Sequence, residues 1–245
     1  MAFRFLNVGD SALTLEFGDA ISPELVRAVI AADQAIAAAR ERGELPGVIE
    51  AVPTFRSLTV LYDPLHTSRA ALEPALARLL EQHGGAGAET GRRWRLPVCY
   101  GGEYGPDLAE VAAAKVLTAQ EAIRLHQETE FLVYMLGFLP GFPYMGDLPD
   151  ALAVPRRAEP RLRLPTGSVA IAGTLTAIYP WESPGGWHLI GRCPVPLFDA
   201  RWRSPALLRA GDRVRFEPIT PERFQELSEA LAAGRTGVAA FLEQS

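Results

Sequence analysis

Lysine is almost absent from this sequence of 245 residues. Lys115 is the only lysine among 24 basic residues, and arginine supplies the others. A Gly-x-x-x-x-Gly-Lys-Ser/Thr phosphate-binding loop is therefore excluded, because no glycine-rich stretch carries its lysine. A Schiff base or a lysine general base would have to use Lys115, which falls on a predicted helix. The composition leaves arginine as the residue type available to bind anions.

Cysteine is also scarce. Cys99 and Cys193 lie far apart, without the spacing of a disulfide framework. Together with His126 and His188 they form no short metal-binding motif. We therefore predict no metal site and a protein of a reducing compartment.

Basic charge and long apolar runs are missing as well. The net charge is -5, whereas nucleic-acid-binding domains usually carry a basic stripe, so no nucleic-acid partner is predicted. The uncharged runs at 131–146 and 164–181 are broken by glycine and proline, and the N-terminus lacks the features of a signal peptide. We expect a cytoplasmic protein without a membrane partner.

The sequence predicts two domains. Residues 1–84 contain alternating apolar and polar stretches and two amphipathic helical patterns, which indicate a small α+β domain. Residues 85–91 form a glycine-rich linker, because none of them is large enough to pack. Residues 92–245 contain many short β segments between prolines and glycines, with flanking helices, which favour an all-β closed barrel.

The stretch from 137 to 196 is the predicted functional region. It holds eight glycines and ten prolines, yet aromatic and β-branched residues recur throughout, so a rigid, turn-rich β region is expected. Its basic residues are all arginines, predicted to bind a substrate anion: Arg156, Arg157, Arg161, Arg163 and Arg192. Strand alternation would place Arg161 and Arg163 on the same face. The alternative is that the arginines are solvated or pair with nearby carboxylates, namely Asp147, Asp150, Glu159 and Glu182.

Two histidines and a serine complete the polar candidates. His126 and His188 are candidate catalytic acids or bases, because histidine titrates near neutral pH; the alternative is a structural role. Ser168 lacks the Gly-x-Ser-x-Gly elbow of a nucleophile, and its hydroxyl is predicted to bind either the backbone or the substrate.

Aromatic residues accompany these polar candidates. Tyr144, Tyr179, Trp181 and Trp187 are predicted to pack in the barrel wall. The alternative is that they stack on a bound ligand.

Several ordered motifs of this region resemble one family. They are GFLPGFPYMG (137–146), PRR (155–157), PR (160–161), GSVAIAG (167–173), IYP (178–180), PGGW (184–187) and IGR (190–192). In this order they resemble the B subunit of bacterial 5-oxoprolinase. That family is also labelled allophanate hydrolase subunit 1 and includes Kip-type inhibitors of sporulation histidine kinases.

The resemblance implies an N-terminal α+β domain joined to a cyclophilin-like β-barrel. It implies an enzyme subunit, inactive alone, that acts with a homologous C-type subunit and an A subunit in the ATP-dependent hydrolysis of 5-oxoproline to glutamate. The complex would bind ATP. The residues implied to face the C subunit and the substrate are Tyr144, Arg156, Arg161, Ser168, Tyr179, Trp187 and Arg192.

The sequence departs from the family pattern in a short window. Leu175 and Ala177 stand where members usually have glutamine and glycine, and His188 and Cys193 replace the usual glutamine and threonine. Loss of a glutamine amide changes the hydrogen bonds available to a substrate. A stand-alone inhibitor of a histidine kinase is the alternative function, and a prolyl isomerase is a third one that rests on fold analogy alone.

Overall fold

The computed structural model describes residues 2–83 and 91–243. Contacts divide the chain into two compact units, 1–90 and 91–245, and each is described by itself. The predicted linker at 85–91 lies outside the described residues except for Gly91. The predicted boundaries of the two domains therefore stay a prediction.

The first unit is a four-stranded antiparallel sheet with two helices. Its elements are β1 (Arg4–Val8), β2 (Ala12–Glu16), α1 (Pro23–Glu41), β3 (Val48–Pro53), β4 (Ser57–Tyr62) and α2 (Arg69–His83). The strand order is β1-β2-β4-β3. The side chain of Ser22 caps α1 by accepting a hydrogen bond from the backbone N–H of Leu25, as Ser22-Pro23 predicts. Buried leucines, isoleucines and valines of the sheet and both helices form one core.

The second unit contains nine strands and three α-helices among its described residues. They are β5 (Arg93–Tyr100), α3 (Leu108–Ala114), α4 (Ala119–Glu128), β6 (Phe131–Leu136), β7 (Pro143–Gly146), β8 (Arg161–Leu164), β9 (Ser168–Ala172), β10 (Leu175–Ile178), β11 (Ser183–Gly185), β12 (His188–Arg192), β13 (Arg213–Pro218) and α5 (Pro221–Ala232). Short 3₁₀ helices lie at Asp150–Leu152 and Val238–Phe241. None of the helices in the two described ranges could cross a membrane.

Seven of these strands close into a barrel, in the order β10-β7-β6-β13-β5-β12-β9. The predicted closed barrel is thereby confirmed. Strands β5 and β13 are the first and last strands of the second unit, and they pair in parallel. Their register runs from Arg213 opposite Arg93 to Pro218 opposite Val98. Strands β8 and β11 form a separate two-stranded ribbon, which carries part of the arginine-rich stretch outside the barrel wall.

Helix α4 begins as its sequence predicts. Thr118 accepts a hydrogen bond from the backbone N–H of Glu121, and the carboxylate of Glu121 accepts one from the backbone N–H of Thr118. This reciprocal capping box fixes the start of the helix that carries His126.

Gly105 allows the turn after β5 to touch β12. A Cβ atom at Gly105 would lie 2.0 Å from the backbone carbonyl oxygen of Ile190. Gly105→Ala should therefore lower the free energy of unfolding by about 1–3 kcal/mol, because backbone must move to make room. Urea unfolding followed by tryptophan fluorescence measures this in the second unit, which holds all four tryptophans.

Gly237→Ala is the matched control, because its Cβ would meet nothing within 4 Å and its φ of -89° suits any residue. Equal unfolding midpoints for the two alanine variants would contradict the close approach at Gly105.

Candidate functional site

A pocket of about 350 Å³ opens where β7, the end of β10 and the β11–β12 connection come together. Five aromatic side chains line it: Phe138, Phe142, Tyr144, Tyr179 and Trp187. The other lining residues are Arg156, Arg157, Pro160, Pro184, Gly185 and Gly186. Five of the nine predicted substrate-binding residues are thus brought together: Tyr144, Arg156, Arg157, Tyr179 and Trp187. An apolar wall with few polar groups is typical of a site for a small molecule.

Phe142 is the centre of the aromatic wall. Its ring packs edge-on against Tyr144 at 4.9 Å, Tyr179 at 5.0 Å and Trp187 at 6.1 Å between ring centroids. Gly185 lets this wall close, because a Cβ there would lie 2.6 Å from the Tyr179 hydroxyl oxygen. The aromatic residues therefore pack in the barrel wall and line the pocket at once.

Both tyrosines of the wall keep their protons at neutral pH. Burial raises the pKa of Tyr179 to about 12, with a smaller contribution from Tyr144 and a small opposing one from Arg156. Burial also raises the pKa of Tyr144, again against the positive charge of Arg156. Tyr144 and Tyr179 can therefore donate hydrogen bonds to a bound group.

Arg156 is the one predicted anion-binding arginine without an acceptor within the described ranges. Its side chain is exposed and lines the pocket, and its charge acts on both tyrosines. Each of the other four arginines is held by a partner. Arg156 is therefore available to pair with a carboxylate.

Arg157 and Arg161 share the carboxylate of Asp107. Arg161 binds it with two hydrogen bonds of 2.7 and 2.6 Å, and Arg157 adds one of 3.3 Å. Asp107 is only 3% exposed and also accepts a hydrogen bond of 2.7 Å from the backbone N–H of Leu189. These two arginines are thus part of a buried ion cluster.

The remaining predicted binding residues have partners of their own. Arg163 pairs with Glu182, one of the alternative carboxylates, and does not share a partner with Arg161. Arg192 donates to the carbonyl of Thr166. Ser168 is 1% exposed and donates its hydroxyl hydrogen to the carbonyl of Pro165. None of the three lines the pocket.

His188 begins β12, directly after the pocket residue Trp187. Its Nε2 lies 3.1 Å from the carbonyl oxygen of Pro155, so this nitrogen donates a hydrogen bond. The side chain is 8% exposed. His188 therefore lies outside the pocket lining, and its hydrogen bond holds Pro155, the residue that precedes Arg156.

His126 lies in the barrel core and is completely buried. Its Nδ1 is 2.7 Å from the Tyr100 hydroxyl and its Nε2 is 3.0 Å from the Thr176 hydroxyl. Its ring stacks on Phe216 at 4.6 Å, and burial lowers its pKa to about 3. The structure does not bring His126 together with the pocket.

Unpaired buried polar atoms cluster around the pocket. In the part of the chain that the structure describes, three buried side-chain atoms lack a hydrogen-bond partner: Arg157 Nε, Ser183 Oγ and His188 Nδ1. Ser183 and His188 flank the pocket-lining segment 184–187. Because buried polar atoms are usually satisfied, their concentration here marks a functional region.

Metal and thiol chemistry are not supported by the described geometry. No three His, Cys, Asp or Glu side chains of the described residues meet as metal ligands. Cys99 and Cys193 are free and buried, and burial raises the pKa of Cys193 to about 12.

Sequence reasoning missed Asp107, Phe138 and Phe142. Asp107 directly precedes α3, but its carboxylate does not cap that helix. Its partners come from 50 to 82 residues further along the chain. Phe138 and Phe142 stand four residues apart in the motif GFLPGF (137–142), on either side of Gly141. This spacing around a turn is the only local sequence feature that could have indicated that both line the pocket.

Phe138 has an unusual backbone at the rim of the pocket. Its φ is 66°, in the left-handed region, and its side chain is 60% exposed. Such strain in a residue other than glycine often accompanies function. Phe138→Gly should therefore be more stable than Phe138→Ala by about 1 kcal/mol, because only glycine adopts this φ freely. Urea unfolding of the two variants measures the difference.

Arg124, exposed in the middle of α4, provides the matched control. There the order should reverse, with alanine more stable than glycine by about 1 kcal/mol. An alanine variant at Phe138 that equals or exceeds the glycine variant would contradict the strain.

Residues 3–208 match the family described as "Carboxyltransferase domain, subdomain C and D". The chain is 41% identical over 242 residues to the B subunit of 5-oxoprolinase from Bacillus subtilis (strain 168), covering 93% of this chain and 97% of the relative.

Two solved structures extend the comparison. The crystal structure of TTHA0988 is 40% identical with a TM-score of 0.73, covering 86% of this chain. This chain spans only 40% of the length of TTHA0988. Urea amidolyase of K. lactis has a TM-score of 0.74 over 98% of this chain and 16% of its own, at 19% identity, which shows a shared fold alone.

Proposed function

Because the chain belongs to the family of 5-oxoprolinase B subunits, we propose that it is the B subunit of an ATP-dependent 5-oxoprolinase. In this proposal it acts in the cytoplasm with an A subunit and a C-type subunit. The complex adds water across the lactam C–N bond of 5-oxoproline. The oxygen of water bonds to the carbonyl carbon, which becomes a carboxylate when its C–N bond breaks, and the ring nitrogen takes up both protons of water as the ammonium group of the released glutamate.

The observation that carries the proposal is the aromatic pocket with Arg156 at its edge. 5-Oxoproline is a small flat ring with one carboxylate, so it needs an apolar wall and one cation. The pocket offers Phe142, Tyr144, Tyr179 and Trp187 as the wall and Arg156 as the cation. The phenols of Tyr144 and Tyr179 are protonated donors for the lactam carbonyl.

Nucleotide binding is assigned to the partner subunits. The described residues do not fit a triphosphate: Lys115, the only lysine, donates to the carbonyl of Ala153, and a single unpaired arginine lines the pocket. We propose that a partner subunit also supplies the residue that transfers the proton. His126 is buried in the core, and His188 lies outside the pocket lining with its Nε2 hydrogen bonded to the carbonyl of Pro155.

The rim of the pocket supports a partner that completes the site. Phe138 is 60% exposed and Trp181 43% exposed. The indole nitrogen of Trp181 donates to the carbonyl of Pro140, which holds that ring beside the 137–141 turn. Exposed aromatic residues on a fixed rim mark an interaction surface. We propose that the C-type subunit covers this rim.

Reconstitution tests the proposal. The chain, co-expressed with A and C subunits, should co-purify with them and hydrolyse ATP only when 5-oxoproline is present, while the chain alone should be inactive. Absence of a stable complex, or of 5-oxoproline-dependent ATP hydrolysis in that complex, would refute it.

A further inference from the structure

The loop that carries Arg156 is fastened on both sides of that residue. Before it, His188 Nε2 donates to the carbonyl of Pro155 at 3.1 Å. After it, the backbone N–H of Arg157 donates to the carbonyl of Gly186 at 2.8 Å. Arg156 itself makes no such contact among the described residues. The position of its side chain therefore depends on the anchored neighbours Pro155 and Arg157.

Asp107 joins that loop to the pocket wall. Its two oxygens receive the guanidinium of Arg161 and a hydrogen bond from Arg157. The same carboxylate accepts the backbone N–H of Leu189, two residues after the wall residue Trp187. The backbone N–H of Asp107 in turn donates to the carbonyl of Leu189 at 2.9 Å. One buried side chain thus links the loop at 157–161 to strand β12.

The charge of Asp107 suits this task. Burial by itself would raise the pKa of Asp107, but the hydrogen bonds from Arg161 and Leu189 and the charges of Arg161 and Arg157 outweigh it. Its pKa therefore lies below the usual value, and the carboxylate is ionised at neutral pH. A buried carboxylate that binds two guanidiniums fixes the geometry of both.

We propose that Asp107 is a positioning residue, which holds the 155–161 loop on β12 so that the Arg156 guanidinium stands at the mouth of the aromatic pocket. The ligand class, a small carboxylate, rests on the proposed function. Loosening the loop reduces the fraction of molecules in the binding-competent arrangement, and the apparent affinity falls by that fraction. Loss of the Asp107 contacts should therefore weaken substrate binding, because it changes the position of Arg156.

Asp107→Asn in the reconstituted complex tests this. We expect the KM for 5-oxoproline to rise about tenfold with kcat kept within about twofold. In the Arg156→Ala background, the same substitution should leave KM unchanged, because the residue through which Asp107 acts is gone. An equal rise of KM in both backgrounds would overturn the proposal, since a purely structural role affects both.

The control is Asp212→Asn. Asp212 is also fully buried and binds Arg92 and the indole of Trp94, but none of these residues lines the pocket. It should lower stability without the KM effect. An equal KM rise in Asp212→Asn would overturn the proposal.

Amide hydrogen exchange separates this inference from the proposed function. In the purified full chain, Asp107→Asn should accelerate exchange in peptides that contain the Arg157 amide, while Asp212→Asn should not. Unchanged exchange at Arg157 would overturn the inference whatever the complex does. Accelerated exchange in a complex that does not turn over 5-oxoproline would support the loop anchor and refute the proposed function.

Discussion

Replacing His126 with alanine should lower the free energy of unfolding by about 4 kcal/mol at pH 7.5. The substitution empties a site in the middle of the barrel core, where loss of a ring of this size costs about 3–5 kcal/mol. It also leaves the hydroxyls of Tyr100 and Thr176 without their shared partner, which adds to the cost.

The hydrogen bonds fix how His126 is protonated. Thr176 donates its hydroxyl hydrogen to the carbonyl of Ala170, so it accepts a hydrogen bond from His126 Nε2–H. His126 Nδ1 then carries the lone pair that accepts from the Tyr100 hydroxyl. The folded barrel therefore holds a neutral imidazole with one defined tautomer.

This neutral state makes stability depend on pH. Burial lowers the pKa of His126 to about 3 in the folded protein, whereas an unfolded histidine has a pKa of about 6.5. Between these values the unfolded state binds the extra proton, so stability falls as pH drops from about 6.5 towards 3. The expected loss from this residue is about 1.4 kcal/mol per pH unit inside that window.

The stability gap between the native chain and His126→Ala should consequently narrow at acid pH. A gap of about 4 kcal/mol at pH 7.5 should shrink by about 2 kcal/mol at pH 5, because the variant lacks the titrating group. Urea unfolding by tryptophan fluorescence measures this. Leu96→Ala, which removes a fully buried core side chain without a titrating group, should show no such narrowing, and a constant gap for His126→Ala would contradict the buried neutral histidine.

His126 also shows which parts of the fold local sequence can predict. Its helix was predictable, because the capping box at Thr118 and Glu121 is a local pattern that the structure reproduces. Its partners were not, because Tyr100 and Thr176 come from β5 and β10 and meet it only when the barrel closes. From the sequence, His126 is a helical histidine next to the functional stretch, which suggests a catalytic role. In the folded protein, closure of the barrel buries it in the core instead.

The arginines show the same limit at the site. Alternation along β8 predicts a shared face for Arg161 and Arg163, and this stays a prediction. A shared face does not give a shared anion site, because the two residues bind different carboxylates. The alternative pairing with Glu182 holds for Arg163. Asp107, the partner of Arg161, lies 54 residues away, and only the three-dimensional structure reveals the pair.

Arg156→Ala should lower kcat/KM for 5-oxoproline by about 100-fold in the reconstituted complex. In the complex, where the C-type subunit is proposed to cover the rim, the Arg156 guanidinium would bind a carboxylate away from bulk water and contribute about 2–3 kcal/mol, since a hydrogen bond to a charged group is strengthened there. That energy corresponds to a factor of about 30 to 150. The fold should be unaffected, because Arg156 has no hydrogen-bond acceptor within the described ranges.

Arg163→Ala is the matched control for this last prediction. It removes the same side chain from a neighbouring, exposed position, where Arg163 pairs with Glu182 and does not line the pocket. Exposed ion pairs of this kind contribute about 0–1 kcal/mol, so kcat/KM should stay within a few-fold of the native value.

Arg156→Lys should recover only part of the loss, because an ammonium cannot form the two parallel hydrogen bonds of a guanidinium. If Arg156→Ala and Arg163→Ala have equal activity, the carboxylate binds elsewhere. The next candidates for binding the carboxylate are then Arg157 and Arg161. To bind it, they would have to be released from Asp107 when the substrate arrives.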